Sequence, residues 1–320
     1  MIQTVREQRV DYHSFVSTVI SEVQKKLGEG YQVKLHKVTK NNSLVLDSLV
    51  AIQKDERFAP NIYIKPYYEA YLEGKAVEEI VNRLCDSFMN RYVSEFGENF
   101  TFAFEEIKQN IIYRLVNYEK NKELLTQIPH IRYLDLAITF SCLVREDSEG
   151  IGTIRITNEH LKQWKVSLEE LKRYAARNTY QLLQPCIRSM EDTITSLIRD
   201  EFNHGNMDDL SEELVDQFLQ SLSPMKKCQM YILTNQKGIN GAACILYENL
   251  LYDFAVQKKS DFYILPSSIH EIILVPVTEH ITKESLEHMV QEVNRTQVAE
   301  DEILSDRVYY FSRIKNAILM

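Results

Sequence analysis

FYILPSSIHEIILVPV, residues 262–277, decides the fold class, because two runs of strand-forming residues flank a short polar turn. MYILTN at 230–235 and VYYF at 308–311 have the same strand-like composition. Apolar residues at helical spacing lie between these runs, around 245–253 and again around 286–293. The resulting order of strand, helix, strand, strand, helix and strand predicts an α+β fold with helices packed on a mainly antiparallel sheet.

The N-terminal part of the chain predicts a helix followed by a hairpin. Apolar residues recur every three or four positions between Phe15 and Leu27, just before a glycine that can end a helix. YQVKLHKVTKNNSLVLDSLVAI, residues 31–52, then contains two extended segments around Asn41 and Asn42. Asparagine tolerates the left-handed conformation of a tight turn, so we expect the two segments to pair.

The length of 320 residues is about twice that of a common domain, so we expect two α+β subdomains. A polar, glycine-bearing stretch at 145–152 predicts the boundary. It gives an N-terminal domain at 1–150 and a C-terminal domain at 151–320. NHGNMDDL at 203–210 offers an alternative boundary.

The composition favours some classes of protein over others. Hydrophobic residues make up 44% of the chain, enough for a sizeable core. The net charge of -9 repels a phosphate backbone, and no basic patch interleaved with aromatic residues offsets it, so nucleic-acid binding is not expected. The five cysteines form no CxxC motif, which argues against a disulfide framework or a zinc site, and we expect no metal and no cofactor.

The sequence predicts a cytoplasmic location. The amino terminus has no apolar signal core, and no apolar run approaches the length that spans a bilayer. No role at a membrane is therefore expected.

The turn between the two runs of 262–277 contains the best candidates for catalysis. It combines hydroxyl groups, an imidazole and a carboxylate, and loops between rigid elements often carry function. A hydrolase-like enzyme would use Ser267 or Ser268 as nucleophile and His270 as base, with Glu271 or Asp306 orienting the imidazole.

The motifs that would support such an enzyme are missing from this turn. Neither GxSxG nor SxxK surrounds the serines. The second histidine of HExxH is replaced by Leu274, so zinc-protease spacing fails. A serine-rich turn with a hydrogen-bonded histidine explains the same residues.

Two polar clusters beside apolar strands are candidates for ligand binding. Asn41 and Asn42 form one, although turn chemistry explains them as well. Arg132 and Asp135 form the other, where an ion pair or strand-end solvation is the alternative. A third feature is the acidic stretch 200–216, which could attract a divalent ion or a basic partner, or serve as a solvated helix face.

Four motifs carry a resemblance to a known family: KNN at 40–42, PNIYIKPYY at 60–68, PHIRYLDLA at 129–137 and LPSSIHE at 265–271. Together they resemble an uncharacterised bacterial family, widespread in gut Firmicutes, that carries a domain of unknown function. The resemblance implies that His130 belongs to a family motif and is a further candidate for binding. It implies no activity.

The sequence therefore leaves two hypotheses from different classes. The first is a non-enzymatic intracellular protein that binds another protein or a peptide, favoured by the absence of a catalytic motif. The second is the hydrolase-like enzyme described above. The sequence leaves the oligomeric state open.

Overall fold

The computed structural model describes residues 10–54, 59–89, 101–147, 150–203 and 229–320. The fold is α+β with three antiparallel sheets, which confirms the predicted class. Residues Met1–Ser94 and Glu95–Met320 form two compact units, here called the first and the second unit. No helix in the described part of the chain is both long and apolar enough to cross a membrane.

The first unit is a three-stranded sheet with helices packed on it. Its elements are α1 (Tyr12–Leu27), β1 (Tyr31–Thr39), β2 (Val45–Gln53), β3 (Ile62–Tyr63), α2 (Lys65–Leu72) and α3 (Val77–Met89). The side chain of Asp11 caps α1 by accepting hydrogen bonds from two backbone amides of the first turn. The helix ends at Gly28, whose φ of 79° favours glycine. Phe15 and Leu49 are both fully buried in the core between helix and sheet.

The predicted hairpin is present in the first unit. Strands β1 and β2 pair antiparallel from Tyr31 opposite Gln53 to Thr39 opposite Val45. A short 3-10 turn, Asn41–Ser43, joins them, and Asn42 adopts a φ of 58° there. The turn therefore depends on the ability of asparagine to adopt a positive φ, as predicted from the sequence.

The second unit contains a six-stranded and a four-stranded antiparallel sheet. Its elements are α4 (Phe104–Ile107), β4 (Ile111–Asn117), α5 (Lys122–Leu125), β5 (His130–Tyr133), β6 (Leu136–Asp147), β7 (Gly150–Arg155), α6 (Asn158–Trp164), α7 (Leu168–Leu182), β8 (Pro185–Ser189), α8 (Met190–Asn203), β9 (Tyr231–Asn235), α9 (Leu250–Lys258), β10 (Phe262–Leu265), β11 (Ile272–Pro276), α10 (Lys283–Thr296), β12 (Tyr309–Ser312) and β13 (Ala317–Leu319).

One hydrophobic core joins the two sheets of the second unit. The six-stranded sheet has the order β13-β12-β10-β11-β9-β8, and β6 is the strand that pairs with β4, β5 and β7 in the other sheet. Phe140 from β6 and Leu233 from β9 are both fully buried in this core. The sequence predicted the order of elements from 231 to 312, and the short strand β13 extends it.

The domain boundary suggested by the sequence differs from the division into compact units. Residue 150 begins β7, and Gly150 pairs with Asp147 in the hairpin that β6 and β7 form. A boundary at residue 150 would separate β7 from β6, which pair from Ser141 opposite Arg155 to Asp147 opposite Gly150. The alternative boundary at 203–210 lies, apart from its first residue, outside the described residues.

Candidate functional site

The predicted catalytic turn is held by a second loop of the same unit. Segment 302–305 runs antiparallel to the turn 266–271, and three backbone hydrogen bonds of 2.8–2.9 Å join the two. Ser268 lies opposite Ile303 in an isolated bridge. The structure thus brings LPSSIHE together with the Ser305-Asp306 loop, as a compact domain would require.

The imidazole of His270 contacts a backbone amide and a carboxylate. Its Nδ1 accepts a hydrogen bond of 3.3 Å from the amide of Asn240. An accepting Nδ1 carries no proton, so the neutral ring is protonated at Nε2. That nitrogen lies 3.5 Å from Oε1 of Glu302, and the His270 side chain is 28% exposed.

The serines of the turn do not engage this ring. Ser268 is 5% exposed, and its Oγ accepts a hydrogen bond of 3.0 Å from the backbone amide of His270. Within the described residues, no serine hydroxyl hydrogen-bonds the imidazole. Glu302 faces the ring, whereas Asp306 accepts a hydrogen bond from Asn294. The arrangement is that of a hydrogen-bonded histidine in a braced turn.

Asp135 does not pair with Arg132 but binds the loop before β12. Its Oδ2 accepts a hydrogen bond of 2.7 Å from Oγ of Ser305. Its Oδ1 accepts one from the hydroxyl of Tyr309. Burial raises the pKa of Tyr309 well above its usual range, and the neighbouring Asp135 raises it further. The Asp135 carboxylate therefore holds the neutral hydroxyl groups of Ser305 and Tyr309 in place.

His130 and Arg132 converge on one aromatic ring instead. The guanidinium of Arg132 lies 4.6 Å from the centroid of the Tyr118 ring. The His130 ring is tilted against the same tyrosine, and its Nδ1 lies 3.1 Å from the carbonyl oxygen of Ile128. Arg132 therefore makes a cation–π contact with Tyr118, in place of the ion pair with Asp135 considered from the sequence.

Two buried amides complete the support of the loop, and sequence reasoning missed both. Nδ2 of Asn294 donates to the backbone carbonyl of Ser305 at 2.9 Å and to Oδ1 of Asp306 at 2.8 Å. Nδ2 of Asn117 donates to the carbonyl of Leu304 at 2.9 Å. Asn294 could have been identified from its place on the apolar stripe of α10, because a buried amide in such a stripe needs hydrogen-bond partners.

The predicted binding pair Asn41 and Asn42 lies in the first unit, within the turn between β1 and β2. Both are buried, with 9% and 7% exposure. The ammonium group of the preceding Lys40 lies 4.3 Å from the centroid of the Tyr63 ring. Turn geometry accounts for the two asparagines, and a role in binding stays a prediction.

An open cleft of about 420 Å³ lies in the first unit. It is lined by Tyr12, Val45, Leu46, Asp47, Lys65, Tyr68, Glu69 and Leu72. The hydroxyl of Tyr12 donates a hydrogen bond of 3.0 Å to Oδ2 of Asp47. Burial, and then this bond to a carboxylate, raise the pKa of Tyr12 to about 12. The cleft thus combines aliphatic and aromatic walls with two carboxylates, Asp47 and Glu69, and the ammonium group of Lys65.

The outer edge of β1 is a second exposed feature of the first unit. In an antiparallel pair, the backbone groups of successive residues point alternately toward the partner strand and away from it. The hydrogen bonds from the Lys54 amide to the Gly30 carbonyl and from the Lys40 amide to the Leu44 carbonyl show that the even-numbered residues of β1 point theirs toward β2. The side chain of Gln24 covers the outer edge only at its start, where it bonds the carbonyl of residue 31 and the amide of residue 33.

Beyond that point the outer edge has no partner among the described residues. The outward N–H and C=O groups are those of Leu35, Lys37 and Thr39, and β1 pairs with β2 alone. The three side chains are exposed. This stretch is an unpaired strand edge, which can accept another strand.

No group of three or more His, Cys, Asp or Glu side chains in the described ranges could hold a metal ion. Most of the acidic stretch 200–216 lies outside those ranges. Burial raises the pKa of Cys142 and of Cys244 to about 12, which disfavours the reactive thiolate in both.

Comparison with known proteins assigns this chain no activity. The model of a family of unknown function, DUF5688, matches residues 12–313. No curated protein and no solved structure matches the chain.

Proposed function

This chain belongs to the DUF5688 family of unknown function, and we propose that it is a bacterial cytoplasmic protein that binds an extended segment of a partner protein along the outer edge of β1. The proposal rests on the outward backbone N–H and C=O groups of Leu35, Lys37 and Thr39, which have no partner within the described residues. An added strand would satisfy these groups with main-chain hydrogen bonds, the interaction used in β-strand addition.

The charge of β1 indicates the chemistry of the partner. The strand contains Lys34, His36 and Lys37 and no acidic residue, although the chain as a whole has a net charge of -9. Lysines on an edge strand discourage pairing between identical copies, because like charges would then face each other. The same lysines favour an acidic segment, so the proposed partner is an extended acidic stretch of another protein.

The proposal is tested with a short synthetic peptide of alternating glutamate and valine. We expect it to bind the wild-type protein and to bind the Lys37→Glu variant roughly tenfold more weakly, because like charges then oppose each other. Lys172→Glu makes the same charge change on the exposed face of α7 and should leave the affinity unchanged. Equal affinities for all three proteins, or no binding to any, would overturn the proposal.

The hydrolase-like alternative has less support from the geometry. A nucleophilic serine needs a base within hydrogen-bond reach, whereas Ser268 accepts a bond from the amide of His270 and the imidazole contacts Glu302. A screen of ester and amide substrates with wild type and His270→Ala tests this alternative. Turnover that the variant loses would favour the enzyme over the binding protein.

A further inference from the structure

We propose that the cleft of the first unit binds a small organic ammonium ion, with the charge held by Asp47 and the alkyl part by the walls. The cleft adjoins the strand edge, since Asp47 lies opposite Lys37 in the pairing of β1 with β2, but ammonium binding does not depend on the function proposed for that edge. No comparison assigns a ligand to this family.

Asp47 supplies the charge that such a ligand needs. The Asp47 side chain is half-buried on β2, and its Oδ2 already accepts a hydrogen bond from the hydroxyl of Tyr12. Within the described residues, Oδ1 has no hydrogen-bond or ion-pair partner. A carboxylate oxygen accepts more than one hydrogen bond, so Oδ1 can receive an ammonium N–H.

The other charges of the cleft balance each other. Lys65 and Glu69 lie one helical turn apart on α2, with Nζ and Oε1 separated by 3.9 Å. Their opposite charges leave Asp47 as the net charge of the lining, so the site favours a cation. Both side chains are more than half exposed, which keeps them at the rim in water. Lys37 lies opposite Asp47 on β1, but its side chain is exposed and forms no ion pair with Asp47 in the described part of the chain.

The walls indicate an organic cation rather than a metal ion. Val45 and Leu72 are 53% and 37% exposed, which leaves aliphatic surface available to an alkyl group. The rings of Tyr12 and Tyr68 also line the cleft and stand edge to face, with centroids 5.1 Å apart. Aromatic faces attract organic cations. A metal ion would instead require a group of carboxylate, imidazole or thiolate ligands, and no such group of three or more occurs in the described part of the chain.

The test uses n-butylammonium and its neutral analogue n-butanol, with binding followed by the NMR resonances of the protein. We expect n-butylammonium to shift resonances of the cleft residues, and n-butanol to bind much more weakly. Asp47→Asn keeps an oxygen that can accept the Tyr12 hydroxyl but removes the charge. It should weaken n-butylammonium binding roughly tenfold, because a charge-assisted hydrogen bond becomes a neutral one.

Two further variants keep the test decisive. Tyr12→Phe retains the carboxylate and the ring and should still bind n-butylammonium, even if Asp47→Asn fails to fold. Asp253→Asn removes an exposed carboxylate from α9 and should leave the affinity unchanged. The proposal is overturned if n-butanol binds as well as n-butylammonium, if Asp47→Asn folds and binds normally, or if a folded Tyr12→Phe variant does not bind. Failure here leaves peptide binding at the β1 edge intact, because Asp47 is not one of its edge groups.

Discussion

Ser305 donates a hydrogen bond of 2.7 Å to Asp135 across a sequence separation of 170 residues. The bond ties the loop before β12 to the turn between β5 and β6, and so links the two sheets of the second unit. The same loop braces the turn 266–271 through backbone hydrogen bonds. Two of the four family motifs, PHIRYLDLA and LPSSIHE, are therefore parts of one structural junction in the second unit.

Replacing Ser305 with alanine should destabilise the second unit. Ser305 is fully buried, and its hydroxyl also accepts the amide of Arg307 at 3.0 Å. The variant removes the hydrogen bond to Oδ2 of Asp135 and should lower the free energy of unfolding by about 1–3 kcal/mol. Urea unfolding measures this cost. Ser196→Ala on the exposed side of α8 is the control and should change little, and equal stabilities of the two variants would contradict the structural role.

Asn294→Leu should also destabilise the protein, although it extends the apolar stripe of α10. The amide binds the carbonyl of Ser305 and the carboxylate of Asp306. Leucine leaves the buried carbonyl unsatisfied, and we expect a loss of about 1–3 kcal/mol in the free energy of unfolding. A gain in thermal stability would instead indicate that burial of the larger apolar side chain outweighs the lost bonds.

The stability of the fold should fall between pH 10 and pH 12. A hydrogen bond to Asp261 is the main reason that the pKa of Tyr310 is raised to about 12, against about 10 in an unfolded chain. Above pH 10 the unfolded chain therefore releases this proton while the folded chain keeps it, so rising pH favours unfolding.

Tyr310→Phe isolates this contribution. The variant removes the titrating hydroxyl, so its stability should decline less steeply over the same pH range. Chemical unfolding at several pH values checks the prediction. An identical decline in variant and wild type would show that Tyr310 titrates normally in the folded chain.

Lys37→Pro should abolish peptide binding at the strand edge while sparing the fold. Proline removes an outward N–H that an added strand would use, and edge strands tolerate it. Circular dichroism should remain that of the wild type, whereas the affinity for the glutamate–valine peptide should fall below detection. Retained affinity in a folded variant would exclude β1 as the docking strand.

The local elements were predictable from the sequence, because the apolar period of α1 and the turn chemistry at Asn41 and Asn42 act over short distances. The partners of the polar residues were not predictable. Asp135 sits beside Arg132 in the sequence, yet it binds Ser305 because the antiparallel sheets bring that distant loop to it. The choice of Glu302 as the neighbour of His270 likewise follows from the pairing of two loops.

The strand edge could be inferred only in part. The alternation of the hairpin was predictable, but which edge of a strand lacks a neighbour depends on the whole sheet. Strand β3 pairs with β2, so β1 is left at the edge. The lysines of β1 are typical of an edge strand, but the sequence does not show that β3 pairs with β2 and leaves the outer side of β1 unpaired.

The most direct measurement is amide hydrogen exchange at Leu35, Lys37 and Thr39, with and without the glutamate–valine peptide. These amides face outward and should exchange rapidly in the protein alone. In the presence of the peptide, they should become protected, while the amides that already face β2 keep their rates. Protection that appears elsewhere, or no protection at these three positions under saturating peptide, would contradict strand addition at β1.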